Sequence, residues 1–154
     1  MKKITRKIFD ILFYTFCITM ITSTFFGWFR IDLVQGSSME PTYNEGDILF
    51  ATNIGIDDLH YGDIVVAKPH DKLVIKRLIG LPGDTIEFID GQLYRNGELV
   101  EEDYVVNKTT KDNILVVLGE HQYYICGDNR PVSYDSRAYG PVDEILQKII
   151  LIKK

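Results

Sequence analysis

Few cysteines, few histidines and no basic excess outside the first turns narrow what this chain can be. Cys17 and Cys126 are the two cysteines; one lies inside an apolar run and the other far along the chain, so no disulfide framework is expected and both are read as free. The three histidines, His60, His70 and His121, lack zinc-ligand spacing with cysteine. Each is read as surface or structural, and neither a metal nor a cofactor is expected. No Ser-x-x-Lys, Gly-x-Ser-x-Gly or phosphate-loop motif occurs, which excludes the penicillin-binding arrangement, the hydrolase elbow and the nucleotide cradle. There is no internal repeat, no low-complexity stretch and no linker long enough to separate a pair of soluble domains. Asn107-Lys-Thr109 has the form of a glycosylation sequon and is read as chance.

Charge is divided unevenly. Lys2, Lys3, Arg6, Lys7 and Arg30 face only Asp10 before residue 31, whereas 12 basic and 21 acidic residues follow, a balance of −9. An acidic globular part lacks the basic face that neutralises phosphates, so nucleic acid is not an expected partner.

What the chain does have begins with Ile8 to Phe29, 22 largely apolar residues behind a basic start. That length spans a bilayer. A cleaved signal peptide is the competing reading, but its apolar region is usually shorter and ends in a small-residue cleavage site. The Phe25-Phe26-Gly27-Trp28-Phe29 end resembles an aromatic belt, and the basic residues place the N-terminus in the cytoplasm. The expected organisation is therefore a basic N-terminus and single transmembrane helix over residues 1–30 and an extracytoplasmic β domain over 31–154. Asp10 lies near enough to the basic end to reach lipid headgroups.

Beyond residue 31, short β-branched and aromatic runs alternate with Gly, Asp, Asn and Pro. Strands are expected at Asp47–Thr52, Asp63–Lys68, Leu73–Ile79, Thr85–Ile89, Gln92–Arg95, Glu98–Val100, Ile114–Leu118, Gln122–Cys126 and Lys148–Ile152. Asn96-Gly97 signals a tight hairpin, and a short helical turn is expected near Asp143 to Leu146. The fold class is all-β, as folded antiparallel sheets or a partly closed barrel.

Two anomalies interrupt this pattern. Gly36-Ser-Ser-Met-Glu-Pro-Thr42 has the small residues, hydroxyls and proline of an exposed turn. Lys76 places a cation inside Leu73-Val-Ile-Lys-Arg-Leu-Ile-Gly80, a run expected to be largely buried. A serine needs a base to take its proton, and lysine serves only when neutral, which burial among Val74, Ile75, Leu78 and Ile79 favours. A lysine that snorkels to water or pairs with a carboxylate is the alternative. Arg77 points to the opposite face and stays charged. Further on, Gly127, Asp128 and Asn129 read as a turn. If the next residues are strand, Ser133, Asp135 and Arg137 share a face, with Asp135 and Arg137 able to pair and Ser133 able to hydrogen-bond the base.

Taken in order, these stretches resemble the bacterial type I signal peptidases. The blocks are Gly36 to Thr42 with Gly46-Asp47, then Gly62-Asp-Ile-Val-Val66, then Val74-Ile-Lys-Arg-Leu-Ile-Gly-Leu-Pro-Gly-Asp84. The last is Gly127-Asp-Asn-Arg130 with Ser133, Asp135-Ser-Arg137 and Tyr139-Gly-Pro-Val142. The resemblance implies that Ser38 is the nucleophile, Lys76 the general base and Ser133 the group that orients the lysine, while Asp135 and Arg137 hold the surroundings. Ser37 is the neighbouring decoy, set aside only by the family's Ser-Met pairing. Many relatives carry an oxyanion-binding serine where this chain has Gly36, as in Gram-positive members. The Ser38 N–H then remains as one donor, with the Gly36 turn or Ser37 as source of a second. The short span from Thr85 to Glu120 fits the compact Gram-positive form, and Lys76 in place of histidine fits the bacterial branch.

The implied activity is membrane-bound serine endopeptidase action that removes signal peptides from exported preproteins after Ala-x-Ala-like sites, on the outer face of the cytoplasmic membrane. Preproteins and the lipid bilayer are the implied partners, and a monomer is expected. Met39, Ile48, Leu49 and Phe50 are candidates to face substrate or the membrane interface. Rival readings are a catalytically silent membrane-tethered homologue, a self-cleaving repressor-type Ser/Lys protease, and a peptidase dedicated to one pilus or conjugation substrate.

Overall fold

Burial on both faces marks the strand at the centre of the domain. In β3, Ile64–Ala67, all four residues are buried. Ile64 and Val66 enter one apolar cluster with Leu49, Ala51 and Ile149, while Val65 and Ala67 enter another with Leu78, Ile125 and Ile145. A strand alternates its side chains, so only one covered on both sides reads as an unbroken apolar run.

The computed structural model describes residues 2–53, 58–106 and 113–153, with side chains at 7, 9–22, 29–53, 58–106 and 113–150. The chain divides into two compact units, Met1–Arg30 and Ile31–Lys154. The first is helix α1, Lys2–Trp28. Its large apolar side chains from Phe9 to Ile21 are each more than half exposed. The Thr15, Thr19 and Thr22 hydroxyls donate back to carbonyls of their own helix. Among the described residues no helix is long and apolar enough to cross a membrane. The side chains of Phe25 to Trp28 and the Asn107-Lys-Thr109 tripeptide lie outside the described residues.

The second unit is built on two antiparallel sheets. Around β3 stand β1 (Phe29–Leu33), β2 (Ile48–Thr52), β4 (Val74–Gly80), β9 (Tyr124–Cys126) and β10 (Ile145–Lys153), in the order β1-β2-β10-β3-β4-β9. The smaller sheet contains β5 (Thr85–Ile89), β6 (Gln92–Arg95), β7 (Glu98–Leu99) and β8 (Ile114–Val117), in the order β7-β6-β5-β8. Its core joins Ile86, Phe88 and Leu93 to Ile79 and Tyr124 of the larger sheet. Asn96 and Gly97 both adopt positive φ, 54° and 81°. That is the twist a two-residue hairpin loop requires.

The all-β expectation for the soluble part holds, and the expected strands form with shifted ends. Three local readings are corrected. The expected helical turn near Asp143 to Leu146 is instead a bend leading into β10, because Ile145 pairs with Ala67 and fills the third cluster. The stretch from Ser133 to Arg137 is not strand: Asp135 caps a single-turn helix α2, Ser136–Tyr139. Phe29–Leu33, read as the end of the apolar run and the start of the domain, forms the edge strand β1.

Candidate active site

The loop from Val34 to Asp47 is closed at its neck, where Val34 N–H donates to Asp47 O and Gly46 N–H to Val34 O. Met39 and Tyr43, 2% and 3% exposed, plug it into the core beneath β2. Met39 and Leu49 therefore belong to the core, whereas Ile48 is exposed and Phe50 half-buried. Gly36 turns the chain with φ of 80°, in the left-handed region that favours glycine. Ser38, half-buried, sits directly before the Met39 anchor.

Lys76 reaches this loop from β4. Its Nζ lies 2.7 Å from Ser38 Oγ and donates to Ile75 O at 3.1 Å. Only 5% of the residue is exposed. Burial pulls its pKa below the ordinary lysine value, and the nearby charge of Asp135 only partly opposes this. An amine so placed, once neutral, has a lone pair facing the Ser38 proton. Ser38, not Ser37, is the serine at the lysine.

Opposite this loop stands the turn that follows β9. Gly127 lies so close that a Cβ there would be 2.3 Å from Ser133 Oγ and 2.4 Å from Ser38 O. Asp128, wholly buried, takes Nε and Nη2 of Arg77 at 2.8 and 2.6 Å and accepts a hydrogen bond from the Thr42 hydroxyl. Asn129 donates its backbone N–H to Ser38 O at 3.0 Å and its side-chain Nδ2 to Ser37 O at 3.1 Å. One turn thus grips the serine loop at Ser37, Ser38 and Thr42.

Asp135 and Arg137 form a two-pronged pair, Nε to Oδ1 and Nη2 to Oδ2, each at 2.9 Å. Burial would raise the Asp135 carboxyl, but the hydrogen bonds and charge of Arg137 outweigh it and hold its pKa low. Asp135 also accepts from Gly127 N–H at 2.9 Å, and Arg137 Nη2 donates to Arg130 O at 2.7 Å. The pairing agrees with the sequence reading; the helix cap that brings it about does not. Ser133 Oγ is buried close to Gly127; it makes no hydrogen bond to Lys76 and instead helps to hold the Asp135 carboxyl low. His60, His70 and His121 are exposed, and His70 lies edge-on to Tyr139 of α2.

Sequence reasoning missed the grip of Asp128 and Asn129 on the serine loop at Thr42, Ser37 and Ser38. Both lie within the family-like blocks but read there as ordinary turn residues. It also missed Glu102, which is outside every block. Its carboxylate takes Arg130 Nη2 at 2.6 Å with both side chains nearly fully buried, and Arg130 Nε in turn holds Gly127 O at 3.0 Å.

Comparison with known proteins draws on most of the chain. A family model described as "Signal peptidase, peptidase S26" matches residues 5–150. Signal peptidase I V of Bacillus subtilis (strain 168) is 38% identical over 128 residues, covering 72% of this chain and 76% of that protein. Signal peptidase I of Bacillus licheniformis is 41% identical over 127 residues, covering 73% and 68%. A crystal structure of a signal peptidase I from Enterococcus faecalis V583 superposes with a TM-score of 0.54 at 32% identity, covering 62% of this chain and 99% of that one.

Proposed function

The chain belongs to the signal peptidase family, peptidase S26, and cleaves signal peptides; we propose that it does so with Ser38 as nucleophile and Lys76 as general base. The observation that carries this assignment is the 2.7 Å separation of Ser38 Oγ from a buried, pKa-lowered Lys76 Nζ.

In the acylation step Ser38 Oγ attacks the carbonyl carbon before the scissile bond, and its proton passes to Nζ of neutral Lys76. The tetrahedral intermediate then collapses, the C–N bond breaks, and Lys76 gives that proton to the leaving amine. Water, deprotonated by the again neutral lysine, attacks the ester; the C–O bond to Ser38 breaks and Lys76 returns the proton to Oγ. The Ser38 N–H supplies one donor to the developing oxyanion. Asp135, paired to Arg137, keeps the neighbouring turn in place, and Ser133 contributes a buried hydroxyl beside it. Substrates are exported preproteins cut after small residues of Ala-x-Ala type.

Helix α1 serves as a membrane anchor, with the β domain outside the cytoplasm and the protein acting as a monomer. Supporting the anchor are the 22-residue apolar run, the exposure of its side chains and threonines satisfied within the helix. Large apolar side chains exposed along a helix call for lipid or a partner. Tethering enzyme and preprotein to one membrane raises their effective concentration.

The test is cleavage of a preprotein bearing an Ala-x-Ala site, in detergent or vesicles, by the intact protein beside Ser38→Ala, Ser37→Ala and Lys76→Ala. Only wild type and Ser37→Ala are expected to cut. Full activity remaining in Ser38→Ala or Lys76→Ala would sink the assignment.

A further inference from the structure

We infer that Asn129 is a positioning residue for the oxyanion donor, acting by locking both peptide planes that flank Ser38. This rests on the reading of Ser38 as nucleophile, and concerns how its backbone is held.

Ser38 N–H and Ser37 C=O belong to one peptide unit. That unit is trans, since the cis bond in this loop is Glu40-Pro41. In a planar trans unit the N–H and C=O point in opposite directions. Whatever fixes the Ser37 oxygen therefore aims the Ser38 N–H. Asn129 Nδ2 donates to that oxygen at 3.1 Å, and the Glu40 N–H reaches it from within the loop at a longer 3.2 Å. A carbonyl can only accept, so this contact also decides which way the Asn129 amide faces.

The next peptide unit is held by the same residue. Asn129 N–H donates to Ser38 O at 3.0 Å. With the planes before and after Ser38 both secured, rotation about its backbone is blocked on each side. Crankshaft rotation of the first plane would turn the N–H away from the assigned oxyanion position and bring the Ser37 oxygen towards it. The side-chain contact opposes that rotation. Asn129 O in turn accepts from Ser133 N–H at 3.1 Å, so the clamp is itself braced by the turn that carries Ser133.

A side chain acting only on the donor's direction should affect the transition state and leave substrate binding and the base alone. Removing one oxyanion donor outright costs about 100-fold to 1000-fold in kcat. Loosening a donor that Glu40 still partly holds should cost less, roughly 10-fold to 100-fold.

The experiment uses the full chain in detergent with an Ala-x-Ala preprotein and a peptide aldehyde of the same sequence. Wild type, Ser38→Ala, Asn129→Ala and the near-isosteric Asn129→Asp are compared. The inference expects thermal unfolding within a few degrees of wild type, a fall in kcat of roughly 10-fold to 100-fold, and KM within about twofold. Aldehyde inhibition should weaken in parallel with kcat/KM, while in Asn129→Ala the pH at which activity rises stays fixed. Asn129→Asp, which sets a carboxylate against a carbonyl, should fall further than Asn129→Ala. Wild-type kcat in both variants overturns the inference. So does a loss confined to KM, or a pH profile displaced in Asn129→Ala. If Asn129→Ala does not fold, Asn129→Asp decides by kcat and KM, since its added carboxylate by itself raises the pKa of Lys76. Wild-type protein that leaves the preprotein uncut overturns the underlying reading, and the inference with it.

Discussion

Lys76 and Arg77 are neighbours on β4 yet serve the same loop from opposite faces of the strand. Lys76 Nζ stands 2.7 Å from Ser38 Oγ. Arg77 forks onto Asp128, whose carboxylate takes the hydroxyl of Thr42 at the far end of the Ser38 loop.

Loss of Arg77 should therefore be costly in stability as well as activity. Asp128 is wholly buried, and a buried carboxylate stripped of its partner destabilises by about 3–5 kcal/mol. Arg77→Ala is expected to lower the unfolding midpoint accordingly. Arg77→Ala with Asp128→Ala should cost much less than the two single changes added together. Chemical unfolding of the full chain measures this. Additive single effects would show that the pair is not coupled.

Lys76 links activity and stability through pH in the same direction. Its lowered pKa means that the neutral base appears at a lower pH than for free lysine, so kcat/KM should rise towards alkaline pH and level off early. A rate independent of pH across that range would count against a lysine base. Between its folded pKa and the ordinary lysine value, the unfolded chain binds more protons. Stability therefore rises with pH across that window. Below it, the full cost of burying the charge is present. Lys76→Met removes that cost. The inactive variant should melt above wild type at pH 7, and the gap should shrink as pH nears the ordinary lysine value.

The extent to which this architecture was legible follows the range over which each signal acts. Asn96-Gly97 is legible because a hairpin loop is decided by two adjacent residues. The nucleophile and base stand out because each violates its local pattern, a hydroxyl pair in a glycine turn and a cation in an apolar run. β1 is hidden because Phe29 closes the apolar run that precedes it, although Phe29-Arg-Ile-Asp-Leu33 alternates apolar and charged residues as a strand can. The pairing of Asp135 with Arg137 is legible from i to i+2 spacing, yet a helix cap brings two such residues together as well as a strand does. Glu102 carries no local mark at all. Its role comes from Arg130, 28 residues later, and only the packing of the two sheets brings them together.

Gly127 is glycine for want of space. A Cβ would lie 2.3 Å from Ser133 Oγ, 2.6 Å from Ser133 Cβ and 2.4 Å from the Ser38 carbonyl oxygen. The first two atoms belong to a side chain and can be removed; the third is backbone of the loop that holds the nucleophile. Gly127→Ala is expected to cost about 1–3 kcal/mol of stability as an overpacked site. Activity should fall about 100-fold, as when a reacting group is displaced by about 1 Å. Adding Ser133→Gly to Gly127→Ala clears the side chain and should restore most of the melting temperature. It leaves the Ser38 carbonyl in contact, so cleavage should stay low. Recovery of both in the double variant would mean that the Ser133 side chain, and not the nucleophile's own backbone, is what the missing Cβ makes room for.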